Sequence, residues 1–171
     1  MTSANTQIIS SSPSSSKSTR QLTYDVFLSF RGADTRYGFT NNLYEELISY
    51  GIHTFRDDEE LERGGEIASE LLKAIEESKI FVIIFSENYA ASGWCLDELV
   101  KISECMETEE RVILPIFYHV DPSHVRKQRG SYEKAFVDHE KEAKNRKKIQ
   151  KWRSALTKVG NLAGYDLPKD R

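Results

Sequence analysis

Residues 79–86 read KIFVIIFS, with six consecutive apolar side chains from Ile80 to Phe85. A strand with no polar face must be buried on both sides, as the central strands of parallel sheets are. The run is far too short to cross a membrane. Parallel neighbours need crossover connections, so the flanking sequence should alternate strands with helices.

It does so in both directions. Upstream, YDVFLSF (24–30) is a short run dense in β-formers, and FTNNLYEELISYG (39–51) repeats Phe39, Leu43 and Leu47 every fourth residue, with Ile48 beside them. Gly51 stands where a helix would be capped. IHTF (52–55) is a short strand, and IASELLKAIEES (67–78) puts Ile67, Leu71 and Ile75 on one helical face. Downstream, WCLDELVKISECM is a helix, and RVILPIFYHV (111–120) is a strand in which Pro115 removes a ladder donor, as at an edge or bulge. The stretch 121–148 reads as polar loop plus a helix around SYEKAFVDHEKEA, with no further strand in it. The last helix spans 149–164, with Trp152, Leu156, Val159 and Ala163 as its stripe. Right-handed crossovers then give an α/β protein with a parallel sheet covered on both faces.

Composition narrows the class. Apolar residues are 39% and charged residues 30%, with a net charge of −3, so a soluble globular domain is expected and a general nucleic-acid binder is not. The basic run KEAKNRKKIQKWR (141–153) is interleaved with acids and reads as a solvated face or partner contact. Cys95 and Cys105 form no CxxC pattern, which fits a reducing compartment. The scattered histidines His53, His119, His124 and His139 give no metal site. Residues 1–22 are serine-rich and carry too little apolar surface to offset ordering, so a disordered lead is expected there, without a secretory signal.

Ligands of open parallel sheets bind beyond the carboxyl ends of the strands, where strand order reverses. In a flavodoxin-like order this point lies between the first and third strands. The loops after them, RGADTR (31–36) and ENYAASGW (87–94), should bring Arg31, Gly32, Arg36, Trp94 and Glu98 to one crevice. On the helix begun by SGWCLDEL (92–99), Cys95, Leu96, Leu99, Ile102 and Met106 share the apolar face. Asp97 points away into solvent, Glu98 sits at the border, and Trp94 lies one turn before Glu98 on the same side. A ring and a half-desolvated acid over a cationic loop suit a nucleotide. Ordinary helix-dipole stabilisation of the acids and plain packing of the tryptophan are the competing reading.

The segments YDVFLSFRGADTR, DDEELERGGEI (57–67), SENYAASGWCLDELVKI and ILPIFYHVDPSHVRKQRGSY together resemble the Toll/interleukin-1 receptor (TIR) domain of plant nucleotide-binding leucine-rich-repeat immune receptors. The resemblance runs from about Tyr24 to Leu167. It implies a TIR domain over 23–167, a tail or linker at 168–171, and a flavodoxin-like fold with a five-stranded parallel sheet. It also implies cleavage of NAD+ or NADP+ between nicotinamide and ribose, the dinucleotide being substrate and no cofactor or metal being needed. Glu98 matches the family's catalytic glutamate and Trp94 its base-stacking ring. Phe30, Arg31 and Gly32, with Arg36 and Ser92, would complete substrate binding. The 57–67 segment matches a loop that rearranges on assembly, with Gly64 and Gly65 supplying backbone freedom.

Homotypic self-association is implied too, through the first helix, where Asn41 and Asn42 replace the Ser-His of many relatives, and through the last helix at Gly160. The setting would be cytoplasmic or nuclear, away from membranes. A non-enzymatic TIR–TIR scaffold is the alternative, since the fold alone does not decide between them. A phosphoacceptor receiver is rejected, because the first and third strands end in SFRG and FSEN without the required acids.

Overall fold

In a computed structural model, residues 22–57, 69–108 and 110–169 are described. The serine-rich lead, nearly all of the 57–67 loop including Gly64 and Gly65, and Ile67 lie outside these residues. Five strands form one parallel sheet: β1 (Tyr24–Ser29), β2 (Thr54–Arg56), β3 (Ser78–Phe85), β4 (Val112–Tyr118) and β5 (Tyr165–Leu167), in the spatial order β2-β1-β3-β4-β5. The order reverses between β1 and β3, as the alternating sequence led us to expect. The helices are α1 (Gly32–Thr35), α2 (Phe39–Ser49), α3 (Ser69–Glu76), α4 (Gly93–Thr108), α5 (Pro122–Lys127), α6 (Ser131–Glu140) and α7 (Ile149–Gly160).

Strand alternation sends side chains to two separate cores. Phe27, Phe81, Ile83, Phe85 and Phe117 pack with Leu71 and Ile75 of α3, Leu96, Leu99 and Ile102 of α4, Tyr132 and Phe136 of α6, and Trp152 and Leu156 of α7. On the other face Val26, Leu28, Val82, Ile84 and Ile116 pack with Phe39, Leu43 and Leu47 of α2. Ile48, expected beside that stripe, is exposed instead. β3 is buried from Phe81 to Phe85, which accounts for its uninterrupted apolar sequence.

Three local expectations are corrected. The stretch after β4 holds two helices, α5 and α6. Asp121 caps α5 by accepting from the Ser123 N–H, and Gln128 ends it in the left-handed region at φ 48°. The fifth strand follows α7, which stops at Gly160 and leaves Ala163 exposed in the connection. Pro115 is not at an outer edge. β4 pairs with β3 through it, opposite Ile83, while the ladder to β5 begins one residue later at Ile116. The short last strand therefore never asks Pro115 for a donor. Gly164 makes this approach possible, since a Cβ there would lie 2.1 Å from the Pro115 carbonyl oxygen.

Candidate functional site

The loop after β3 makes a single 3₁₀ turn, Tyr89–Ala91, and delivers the chain to the start of α4. Ser92 opens that helix in the ordinary capping manner, its Oγ accepting from the Cys95 N–H at 3.2 Å. Four residues line a small pocket with Asp57 at the end of β2: Leu28 and Phe30 from β1 and its exit, and Trp94 and Glu98 from α4. Trp94 and Glu98 thus face one space, one helical turn apart. The pocket sits beside β1, on the carboxyl side of the sheet. Its free volume is about 10 Å³, room for roughly one water.

Glu98 is more deeply placed than a border position, at 4% exposure. Burial of a carboxylate is costly unless the charge is partnered. Cys95 lies in the core as its helical position indicated, 3% exposed, with its Sγ donating to the Phe30 carbonyl at 3.5 Å. Asp97 does not point into solvent. Its carboxylate accepts from Trp152 Nε1 at 2.9 Å and from Lys148 Nζ at 3.1 Å, which ties α4 to α7.

The cationic loop splits. Arg36 lies 5.4 Å over the Phe30 ring and donates to the Asp57 carbonyl at 3.3 Å, so it borders the pocket. Gly32 is buried in the one-turn α1. Arg31 leans towards Asp34 at 4.0 Å, and its buried Nε has no hydrogen-bond partner among the described residues. Asp34 is engaged by Ser86 Oγ, Asn88 N and Asn88 Nδ2, which hold the exits of β1 and β3 together.

A wider cleft of about 650 Å³ opens at the ends of β3 and β4, between Asp34, Asn88, His119, Asp121, His124 and Ser131. The smaller pocket is the candidate site, because the Trp94 ring and the Glu98 carboxylate both line it. The wide cleft is lined by the acids Asp34, Glu87 and Asp121, and the Trp94–Glu98 pair is absent from it. The described residues contain no His, Cys, Asp or Glu group able to hold a metal ion.

The proposed association residues also have intramolecular roles. Asn41 Oδ1 accepts from Arg56 Nη1 at 3.1 Å, whereas Asn42 is exposed. Gly160 is buried against α5. A Cβ there would come within 3.0 Å of Arg126 Cγ and 3.3 Å of Val125 Cγ1. The close approach that this glycine permits is between α7 and α5 of the same chain, and α7 is followed by β5. Two residues of this region had no sequence signal as site supports. Tyr89 is fully buried with its hydroxyl bonded to Ser29 and Cys95, and Trp152 grips Asp97.

A parallel five-stranded sheet whose strand order reverses between β1 and β3, with helices on both faces, defines a doubly wound α/β domain. Residues 23–170 match the TIR domain, and the chain belongs to that family. It is 60% identical over 162 residues to Disease resistance protein RPV1 of Vitis rotundifolia, covering 95% of this chain and 11% of that protein. It is 56% identical over 151 residues to TMV resistance protein N of Nicotiana glutinosa, covering 88% and 13%. The chain thus spans about a tenth of the length of these curated relatives. Among solved structures, the TIR domains of the activated Roq1 resistosome, which directly recognises the pathogen effector XopQ, match at 56% identity with a TM-score of 0.79, over 85% of this chain and 88% of that one. No helix of the described residues is long and apolar enough to cross a membrane.

Proposed function

We propose that the chain is the signalling module of a plant immune receptor that self-associates and, when assembled, cleaves NAD+ or NADP+ to nicotinamide and an ADP-ribose-type product, in the cytoplasm or nucleus. One observation carries this reading: a buried carboxylate, Glu98, shares a pocket with Trp94 and Phe30 beside the carboxyl end of β1. The chemistry requires little more. Nicotinamide leaves as a neutral base from a cationic precursor, so the ribose becomes oxocarbenium-like and a single carboxylate stabilises it. The leaving group needs no proton, so the second acid of ordinary glycosidases is dispensable. Trp94 would stack on a planar ring, and Arg36, which borders the pocket, would meet phosphate.

The narrow pocket supports the assembly requirement. Its free volume of about 10 Å³ is far below that of a dinucleotide, which fits a site completed only on assembly. The activated Roq1 assembly, in which TIR domains are gathered, supplies the precedent for association. The same narrowness favours the runner-up reading, a TIR–TIR scaffold without catalysis. The deciding experiment is nicotinamide release by wild type and Glu98→Gln, each tethered to an oligomerising scaffold. Release by wild type alone supports the enzyme. Release by neither, with both proteins folded, leaves the scaffold. Equal release by both overturns Glu98 as the catalytic residue.

A further inference from the structure

The pocket has two walls. One is the exit of β1, carrying Leu28 and Phe30; the other is the first turn of α4, carrying Trp94 and Glu98. Between them stands Tyr89, fully buried. Its hydroxyl donates to the Cys95 carbonyl at 3.2 Å, so the Ser29 hydroxyl, 2.8 Å away, supplies the hydrogen to the phenol oxygen. Ser29 immediately precedes Phe30, and Cys95 immediately follows Trp94. The ring is held in turn, edge-on against Phe85 at 5.1 Å. Burial first, and then neighbouring Cys95 and Glu98, push the phenol well above its ordinary range, so it remains a neutral donor.

We propose that Tyr89 is a positioning residue: its hydroxyl braces the end of β1 against the first turn of α4 and sets the gap between Phe30 and the Trp94–Glu98 pair. The catalytic consequence rests on the NAD+ reading above, whereas the geometric one does not. Cys95 Sγ on the Phe30 carbonyl is a second tie between the same two segments. It joins through a weak thiol donor, so the phenol carries the stronger link. Removing the Tyr89 oxygen leaves the aromatic packing in place and loosens the two walls, which then keep only the weak thiol tie.

The test uses Tyr89→Phe, Ser29→Ala and the double variant in the full chain, with Ser78→Ala as a control. Ser78 is a fully buried hydroxyl bonded to the Ala74 carbonyl at the opposite end of β3, so it loses a comparable bond away from the site. Two signals are read. Iodide quenching reports Trp94, which is partly buried, while Trp152 at 2% exposure is shielded. Turnover of tethered protein gives kcat and KM.

Tyr89→Phe should raise quenching and lower kcat about tenfold, as expected for slight misplacement of a catalytic group. KM should stay within about twofold. Ser29→Ala should move both signals the same way by less, and the double variant should be no worse than Tyr89→Phe, since both act through one brace. Ser78→Ala should lower the melting temperature and leave both signals unchanged. Unchanged quenching in Tyr89→Phe overturns the brace. Raised quenching with wild-type kcat overturns its positioning role. A wild type that releases no nicotinamide when tethered removes the NAD+ reading, and quenching alone then decides the brace.

Discussion

Replacing Asp97 should destabilise the domain far more than an exposed first-turn acid would. In Asp97→Ala the Trp152 indole N–H, on a ring 2% exposed, loses its acceptor, and Lys148 loses the Asp97 carboxylate. An unsatisfied buried donor costs about 1–3 kcal/mol. The Lys148 pair is partly exposed and screened, worth about 0.2–1 kcal/mol. The sum is about 1–4 kcal/mol, or roughly 3–15 °C in melting temperature for a domain of this size. Asp97→Asn keeps an oxygen for the indole and gives up only the ionic part, so it should cost about 1 kcal/mol or less. Urea unfolding with the slope compared between variants supplies the measurement, because only an unchanged slope lets the midpoint be read as stability. Combining Asp97→Ala with Trp152→Phe should give less than additive loss, since the second change removes the donor orphaned by the first. An Asp97→Ala protein as stable as wild type would refute the α4–α7 tie and restore Asp97 as an ordinary surface acid.

Gly164→Ala should weaken the domain severely and release β5, because the added methyl meets backbone, the Pro115 carbonyl, at 2.1 Å; Gly38→Ala, with nothing within 4 Å, is the matched control in the same thermal scan. Gly160→Arg should lower the melting temperature of the monomer by forcing α7 from Arg126 and Val125, so light scattering of this variant must be read alongside its stability. Asp25 is held below the ordinary carboxylate range, first by the His53 backbone N–H and also by Lys79. Its contribution is complete above the unfolded value near 3.9 and lost as pH falls through the lowered folded value. The melting temperature of Asp25→Asn should therefore lie below wild type at pH 6 and converge with it in strong acid.

What the sequence disclosed follows from where burial leaves a pattern. β3 was legible because both its faces are covered, and α4 because Cys95, Leu96, Leu99 and Ile102 all meet the sheet side. β5 was not, because Tyr165, Asp166 and Leu167 are all exposed and three exposed residues carry no period. A helical wheel correctly put Asp97 opposite the apolar face but assumed that face was wet. It could not show that α7 lies there, nor that Trp152 would present an N–H. The convergence of Trp94 and Glu98 was legible from spacing alone. Which arginine borders their pocket was not, since the one-turn α1 sends Arg36 over Phe30 and Arg31 towards Asp34.

Asp97 and Glu98 divide two tasks by one helical step of about 100°. The anchoring acid is held by Trp152 from α7, which fixes the rotation of α4 about its axis. That rotation carries the next carboxylate away from α7 and into the pocket beside Phe30. Tyr89 then fixes how far the helix stands from β1. Rotation and separation are the two variables that place a side chain from a helix over a strand end, and each has its own hydrogen bond, part-buried for Trp152 and buried for Tyr89. The pocket is thus braced on its inner side by the protein core, leaving Asp57 as the wall that leads into the loop following β2. If the walls part on assembly, the hydrogen-bonded α4 side should hold still while the side at Asp57 moves. Hydrogen exchange would then stay slow through residues 93–99 and change around Asp57 when the domain is tethered. Faster exchange in the first turn of α4 would mean that the helix itself is the moving wall.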